Sequence, residues 1–263
     1  MVAAIVAVAG LALAGCGGGD DDRRAKVDAF VREANSVQQE SAPDFDRANQ
    51  AYLSFSKGKL PPAQARVRLA AAEQSMRTTR DKIVALDAPD DARELKRRLV
   101  ALFDADAAFA HESTLLASFA PGSVKAQKDL PAIGRRLSRG LKGAKTPAAQ
   151  EAVLRRYAAS VGRVVAALQP LHPPPLLLVR HHAQVQHLER VRSLALQLAD
   201  ALHRQDRQAV AKLLLRFKSL NTSGSSDPLS PQALRAYNRR YLKVRGMSQA
   251  VEREQRRLQQ SLK

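Results

Sequence analysis

Tryptophan is absent from this chain of 263 residues, aromatic side chains make up 4% of it, and Cys16 is its only cysteine. The scarcity of aromatics argues against a stacking platform for sugars or single-stranded nucleic acid. A lone cysteine excludes a disulfide within the chain and any site built from several thiolates. Long apolar runs are missing too. The run from Val2 to Leu13 contains only Val, Ala, Ile, Gly and Leu, and it is too short to cross a hydrocarbon layer of about 30 Å as a helix. No segment sustains the period-two alternation of a strand, and Leu176 to Val179 is too short to stand for a sheet.

Catalytic signatures are equally sparse. There is no Gly-x-Ser-x-Gly elbow and no glycine-rich loop of the phosphate-cradling kind. His111-Glu112 opens like a zincin motif, but Leu115 stands where the second histidine is required. Asp104 and Asp106 lie beside Phe103 and Phe109, with Asp106 at a seam position. A buried carboxyl there would suit a general acid or base, whereas a seam-edge acid paired with arginine is the expected arrangement. His181, His182 and His187 cluster within seven residues, with His172 nearby. On a helix His182 and His187 do not share a face, so these three are weak metal candidates and are expected to be surface histidines. No cofactor is implied. Asn221-Thr222-Ser223 matches a glycosylation sequon formally, but that inference belongs to the eukaryotic secretory route.

What the chain does possess begins at its leader. Leu13-Ala14-Gly15-Cys16 closes the apolar stretch and is followed by Gly17-Gly18-Gly19-Asp20-Asp21-Asp22. This resembles the lipobox of bacterial lipoproteins. The resemblance implies that Cys16 carries a diacylglyceryl group and an amide-linked third chain, and that the residues after it are exported. Two or more acyl chains hold a protein firmly where one does so only marginally. No Lys or Arg precedes Arg23, so the basic n-region of a signal peptide is expected upstream of Met1. The expected organisation is a signal peptide (1–15), a lipidated cysteine with a flexible tether (16–23) and an ectodomain (24–263). With Cys16 consumed, that ectodomain has to be held together by its core, and ~240 residues suffice for one.

Periodicity sets its class. Leu69, Ala72, Met76, Thr79, Ile83 and Leu86 recur at steps of three and four, and so do Leu154, Tyr157, Val161, Val164, Leu168 and Leu171. Each stretch stops at proline, at Pro89 in the first and at Pro170 and Pro173 to Pro175 in the second. They superimpose at a shift of 85 residues. A second helix follows each, one with Leu95, Leu99, Leu102, Phe109 and Leu116 near one face, the other with Leu188, Val191, Ala195, Leu198 and Leu202. The pattern reads as a diverged internal duplication, the alternative being a chance likeness of two helical hairpins.

Flanking seams run from Val27 to Phe55, kinked or split at Pro43, and from Val210 to Phe217 after an Asp206 N-cap. The last runs from Leu234 to Leu262 after Ser230-Pro231, with Ser248 and Gln255 as polar interruptions at a partly wet edge. Connectors are expected at Lys57–Pro62, Ala120–Ser123, Gly143–Pro147 and Asn221–Pro231. The expectation is an all-α protein of about seven helices, antiparallel hairpins forming one elongated bundle or two abutting ones. Its halves fall at about 24–120 and 147–263, joined by a connector at 121–146.

The formal charge is +18, and it is lopsided: residues 1–146 carry a net +5 and residues 147–263 a net +13. An anionic partner outside the cytoplasm fits, such as anionic lipid or an anionic wall polymer, rather than nucleic acid. The competing account is that arginine merely keeps a bundle soluble. Arg135, Arg139 and Lys142 share one face of a stretch whose Ile133, Leu137 and Leu141 share another. That pattern suits a short helix lying on an anionic membrane, or a basic helix docked on a core. Docking is expected, because Gly134, Gly140 and Gly143 weaken a free-standing helix. Arg239, Arg240, Lys243 and Arg245 are further anion-binding candidates, expected to converge with their neighbours into one patch. The expected role is non-enzymatic: a lipid-anchored protein on the outer face of the bacterial membrane, or another envelope membrane, that binds or scaffolds an anionic or proteinaceous partner. The alternatives are a small-molecule or metal-ion carrier in the bundle and, last, an envelope enzyme.

Overall fold

The computed structural model describes residues 20–222 and 231–261. The leader, Cys16, Gly17 to Gly19, Leu262 and most of the Asn221–Pro231 connector lie outside the described residues. The described residues form eight α-helices and one short 3-10 turn (Asp90–Ala92), with no strand among them. The helices are α1 (Asp20–Ser56), α2 (Pro62–Ala85), α3 (Arg93–Gln127), α4 (Leu130–Gly143), α5 (Pro147–Leu168), α6 (Pro175–His203), α7 (Arg207–Thr222) and α8 (Pro231–Ser261). No described helix is long and apolar enough to cross a membrane.

The chain divides into two compact units, one formed by residues up to Ser118 together with those from Arg235 onward, the other by Phe119 to Leu234. This is not the sequential pair of halves expected. Residues 121–146, expected to be a connector, are the end of α3 and α4, because Phe119, Ser123 and Ile133 are buried in the second unit. The final helix returns to the first unit.

In the first unit, α2 runs antiparallel to α1: Ser41 hydrogen-bonds Thr79 at 2.6 Å, and Glu40 pairs with Lys82 at 2.8 Å. α3 returns parallel to α1, with Phe45 against Phe103 and Tyr52 against Phe109. α8 completes an up-down-up-down bundle, antiparallel to α1 and α3, with Tyr241 stacked on Tyr52 and Arg240 2.6 Å from Glu112. The expected seam residues Phe30, Ala34, Phe45, Tyr52, Leu95, Leu99, Phe109, Tyr237 and Leu258 are buried there. Each large apolar side chain so buried stabilises the unit by about 1.5–3 kcal/mol.

In the second unit α5 and α6 form the central hairpin. Ile133 of α4 packs on Val161 and Leu168, and Leu137 on Ala158 and Leu154. Phe217 of α7 closes the other side against Ala158 and Val191. Asp206 caps α7 as expected, accepting from the Ala209 N–H at 2.9 Å.

The two hairpins, α2/α3 and α5/α6, share one register. Pairs across the first (Arg80–Asp104, Glu73–His111) centre on residue 92, and pairs across the second (Arg155–Asp200, Glu151–His203) centre within a residue of 177. Ala92 and Leu177 are both fully buried, 85 residues apart. Four further matches at that shift are buried in both: Leu69 with Leu154, Met76 with Val161, Ile83 with Leu168 and Ala110 with Ala195. The helix starts Pro62 and Pro147 also correspond. Leu86 and Leu171 lie just past the ends of α2 and α5 and are half-buried.

Four local expectations meet a different outcome. α1 is one continuous helix through Pro43, so the split, one of the two outcomes expected there, does not occur, and α3 runs through Pro121 across the expected turn at Ala120–Ser123. Both rings face solvent, and the carbonyl that Pro43 leaves unbonded belongs to the exposed Gln39, where water can serve it. Gly122 helps by taking the Leu171 side chain so close that a Cβ would sit 2.8 Å from it. α1 also begins at Asp20, so Asp20 to Arg23 are helical rather than tether; aspartates suit the positive end of a helix dipole, and Arg23 pairs with Asp91. Gln255, expected at a wet edge, is buried and donates toward the Asn35 side-chain oxygen at 3.4 Å.

Candidate anion-binding groove

Charge separates between the two units. Phe119 to Leu234 holds 18 Lys and Arg against six Asp and Glu, a net of +12, and leaves +6 for the rest of the chain. In the first unit many arginines sit in ion pairs, among them Arg23 with Asp91, Arg77 with Glu73, Arg97 with Glu94, and Arg257 with Glu254. In the second unit four of the five described acids are engaged. Glu151 holds Arg155 and His203, Asp200 holds Arg155, Glu189 accepts from Gln169, and Asp206 caps α7. The Arg155 hydrogen bond holds the Glu151 carboxyl below its usual range, followed by that of His203. None of Arg135, Arg136, Arg139, Lys142, Arg156 and Arg163 has an acidic partner among the described residues.

α4 is docked, as expected, through Ile133, Leu137 and Leu141, which leaves Arg135, Arg139 and Lys142 exposed. Its approach to α5 is set by Gly140, where a Cβ would lie 2.9 Å from a methyl of Val153. Beside that contact the two helices leave a groove of about 470 Å³. Its floor is apolar, made of Ile133 and Leu137 from α4 with Val153 and Tyr157 from α5. Its rim carries Arg136 from α4 and Arg156, Ser160 and Arg163 from α5. Short bonds along α5 orient this rim: Arg156 donates to the Ala152 carbonyl at 3.2 Å, Ser160 to the Arg156 carbonyl at 2.9 Å, and Arg163 to Ser160 Oγ at 3.0 Å. Burial raises the Tyr157 phenol above its usual range, so it stays neutral.

The other candidates are scattered. Arg239, Arg240, Lys243 and Arg245 lie on α8 in the first unit, not with α4. Arg240 is taken by Glu112, whose carboxyl is pushed up by burial and drawn back by that guanidinium. Arg239 and Lys243 are one turn apart, while Arg245 projects from another side of the helix. A shallow depression along α8 is lined by Glu252 with Arg253, Arg256 and Arg257, of which Arg256 and Arg257 are already paired.

His181 is buried against Phe119 instead of lying on the surface, with its Nδ1 unpartnered and the Leu168 carbonyl bonded to its ring. Burial, then His182, lowers its pKa. His182 is exposed, His187 is half-buried, and no group of three metal-ligating side chains occurs among the described residues. Asp106 is not the arginine-paired edge acid expected. It is 5% exposed with Oδ1 unpartnered, and burial pushes its pKa up to about 7.

Sequence reasoning passed over Arg156, Tyr157, Ser160 and Arg163 as site residues. The 85-residue match contains the missing signal: where α5 has Arg156 and Arg163, α2 has Ala71 and Thr78. No protein-family model matches this chain, and no curated protein or solved structure matches it significantly.

Proposed function

We propose that this is a lipid-anchored protein of the bacterial envelope, held through Cys16, whose second helical unit binds anionic groups. The observation that carries the binding half of the reading is the set of cations on α4 and α5 left without carboxylate partners, in a unit with 18 basic and six acidic side chains. A surface built only for solubility gains nothing from leaving six cations of one helix pair without acidic partners, since interspersed signs serve better. The Leu13-Ala14-Gly15-Cys16 motif supports the anchor and the address. Fixed near a leaflet, such a unit meets anionic headgroups and wall polymers within a Debye length of about 8 Å.

Two measurements test this reading. Metabolic labelling with an alkyne fatty acid should mark the natural protein, and Cys16→Ser should lose the label and leave the membrane fraction. Continued labelling of the serine variant would refute the anchor. The unlipidated Cys16→Ser chain should co-sediment with vesicles containing anionic phospholipid, with affinity falling steeply as salt rises. Absence of binding to such vesicles and to anionic wall polymer at low salt would leave the charge as a solubility device.

A further inference from the structure

The groove between α4 and α5 combines two features that a purely cationic surface lacks: a half-buried hydrocarbon floor and a rim of guanidiniums. We infer that it binds single anionic amphiphiles, with Arg136, Arg156 and Arg163 taking a phosphate or carboxylate head and Leu137, Val153 and Tyr157 taking the adjoining hydrocarbon. This rests on the reading of the second unit as the anion-binding half, and it narrows that reading to one site and one ligand chemistry.

Four observations converge on it. The charged groups of the rim are all arginine, whose planar fork grips phosphate or carboxylate through two parallel hydrogen bonds, where lysine offers a point charge. Arg156 and Arg163 stand seven residues apart on α5, about 10 Å along the axis and on one face, so their long side chains can close on a single head between them. The floor separates an amphiphile from a hydrophilic polyanion, which would leave Leu137, Val153 and Tyr157 in water and gain nothing from them. At about 470 Å³ the groove lies within the size range of small-ligand sites.

The matched hairpin supplies the control. α2 carries Ala71 and Thr78 at the positions of Arg156 and Arg163, both exposed, and the hairpin forms with the same register. Guanidiniums at those two positions are therefore not a requirement of the fold. Gly140 is also accounted for, since its missing Cβ lets α4 stand against Val153 at the end of the floor.

The test uses the full chain with Cys16→Ser, free of acyl groups, and dodecyl phosphate kept below its micelle concentration in isothermal titration. Inorganic phosphate and dodecyltrimethylammonium serve as the headgroup-only and wrong-charge probes. Dodecyl phosphate should bind saturably at one site, and both other probes should bind at least about tenfold more weakly. The double variant Arg156→Ala/Arg163→Thr should weaken dodecyl phosphate by about tenfold or more per arginine removed, the scale of a charge-assisted hydrogen bond, with an unchanged far-UV circular dichroism spectrum. Arg136→Gln, a single exposed change, gives an independent reading should the double variant fold poorly, and it should weaken binding in the same direction. Equal affinity for phosphate and dodecyl phosphate, or unchanged binding in these variants, would overturn the inference. Anionic vesicles separate the two levels. Vesicle binding that persists without any dodecyl phosphate binding sinks the groove and leaves the anion-binding unit standing, whereas loss of both removes the reading beneath it.

Discussion

Asp106 brings a carboxyl into the seam at a position where the matched hairpin has Val191, also buried. The same substitution of polar for aliphatic recurs in that seam, with Thr79 where the other has Val164 and Ser113 where it has Leu198. Thr79 is satisfied by Ser41 at 2.6 Å, but Asp106 Oδ1 and Ser113 Oγ have no partner. Burial raises the Asp106 pKa from 3.8 to about 7. The folded state therefore holds a proton that the unfolded chain releases, and the stability this confers is full at low pH and lost as pH rises through that window. Asp106→Asn should raise stability at pH 8 by an amount on the order of a few kcal/mol, and the gain should vanish toward pH 4. Urea unfolding of both proteins at pH 4, 6 and 8 measures it; a gain independent of pH would contradict the buried acid. His181 works in the opposite sense in the second unit, because its lowered pKa makes protonation costly as pH falls below the ordinary histidine value.

At the scale of elements, α4 shows how a weak helix is held by its contacts. It has three glycines in 14 residues, and Gly140 is the one with a packing reason. Gly140→Ala adds helix propensity worth about 0.5–1 kcal/mol, yet its Cβ meets a stiff, β-branched Val153, and overpacking of that kind costs about 1–3 kcal/mol. The net effect should be a lower melting temperature, recovered when Val153→Ala is added; a simple rise would mean that α4 does not sit where described. Gly134→Ala, with open space around it, should stabilise instead. Most of this architecture was legible in the sequence. Steps of three and four placed the buried faces of α2, α3, α5 and α6, and the proline stops at Pro89 and Pro173 to Pro175 marked hairpin tips. Pro121 misled, and Pro43 did not split α1, because a proline breaks a helix only where its ring clashes or its lost hydrogen bond cannot be served, and burial of flanking residues such as Phe45, Phe119 and Ser123 outweighed the local signal. The site was less legible. Arg156 and Arg163 look like any exposed arginines until α4 is seen to leave an apolar floor beside them.

For the whole molecule, charge is the property that distinguishes the two units. Eighteen basic side chains against six acidic ones over Phe119 to Leu234, a net +12, are self-repulsive. Moderate salt should therefore raise the thermal midpoint of the second unit by screening that repulsion, while vesicle binding weakens over the same range. Differential scanning calorimetry from 20 mM to 300 mM sodium chloride reads the first effect, and a falling midpoint would show that the cations are already neutralised within the protein. The +13 counted over residues 147–263 blurred this division, since that cut splits α4 from α5 and includes α8.

The interruption of the first unit by the second has a consequence for the order in which the protein can be made. α1, α2 and the first part of α3 leave the ribosome early, but the helix that covers Tyr52 and Phe109 is α8, whose share of the first unit begins only at Arg235, after residues 119–234. The second unit is contiguous in the chain and has all its helices as soon as α7 has emerged. The part of the protein made first is thus the part completed last, with an apolar face waiting through the synthesis of 116 residues. The early hairpin carries that face through the interval, which makes it, rather than the basic unit, the segment most in need of protection before folding is complete.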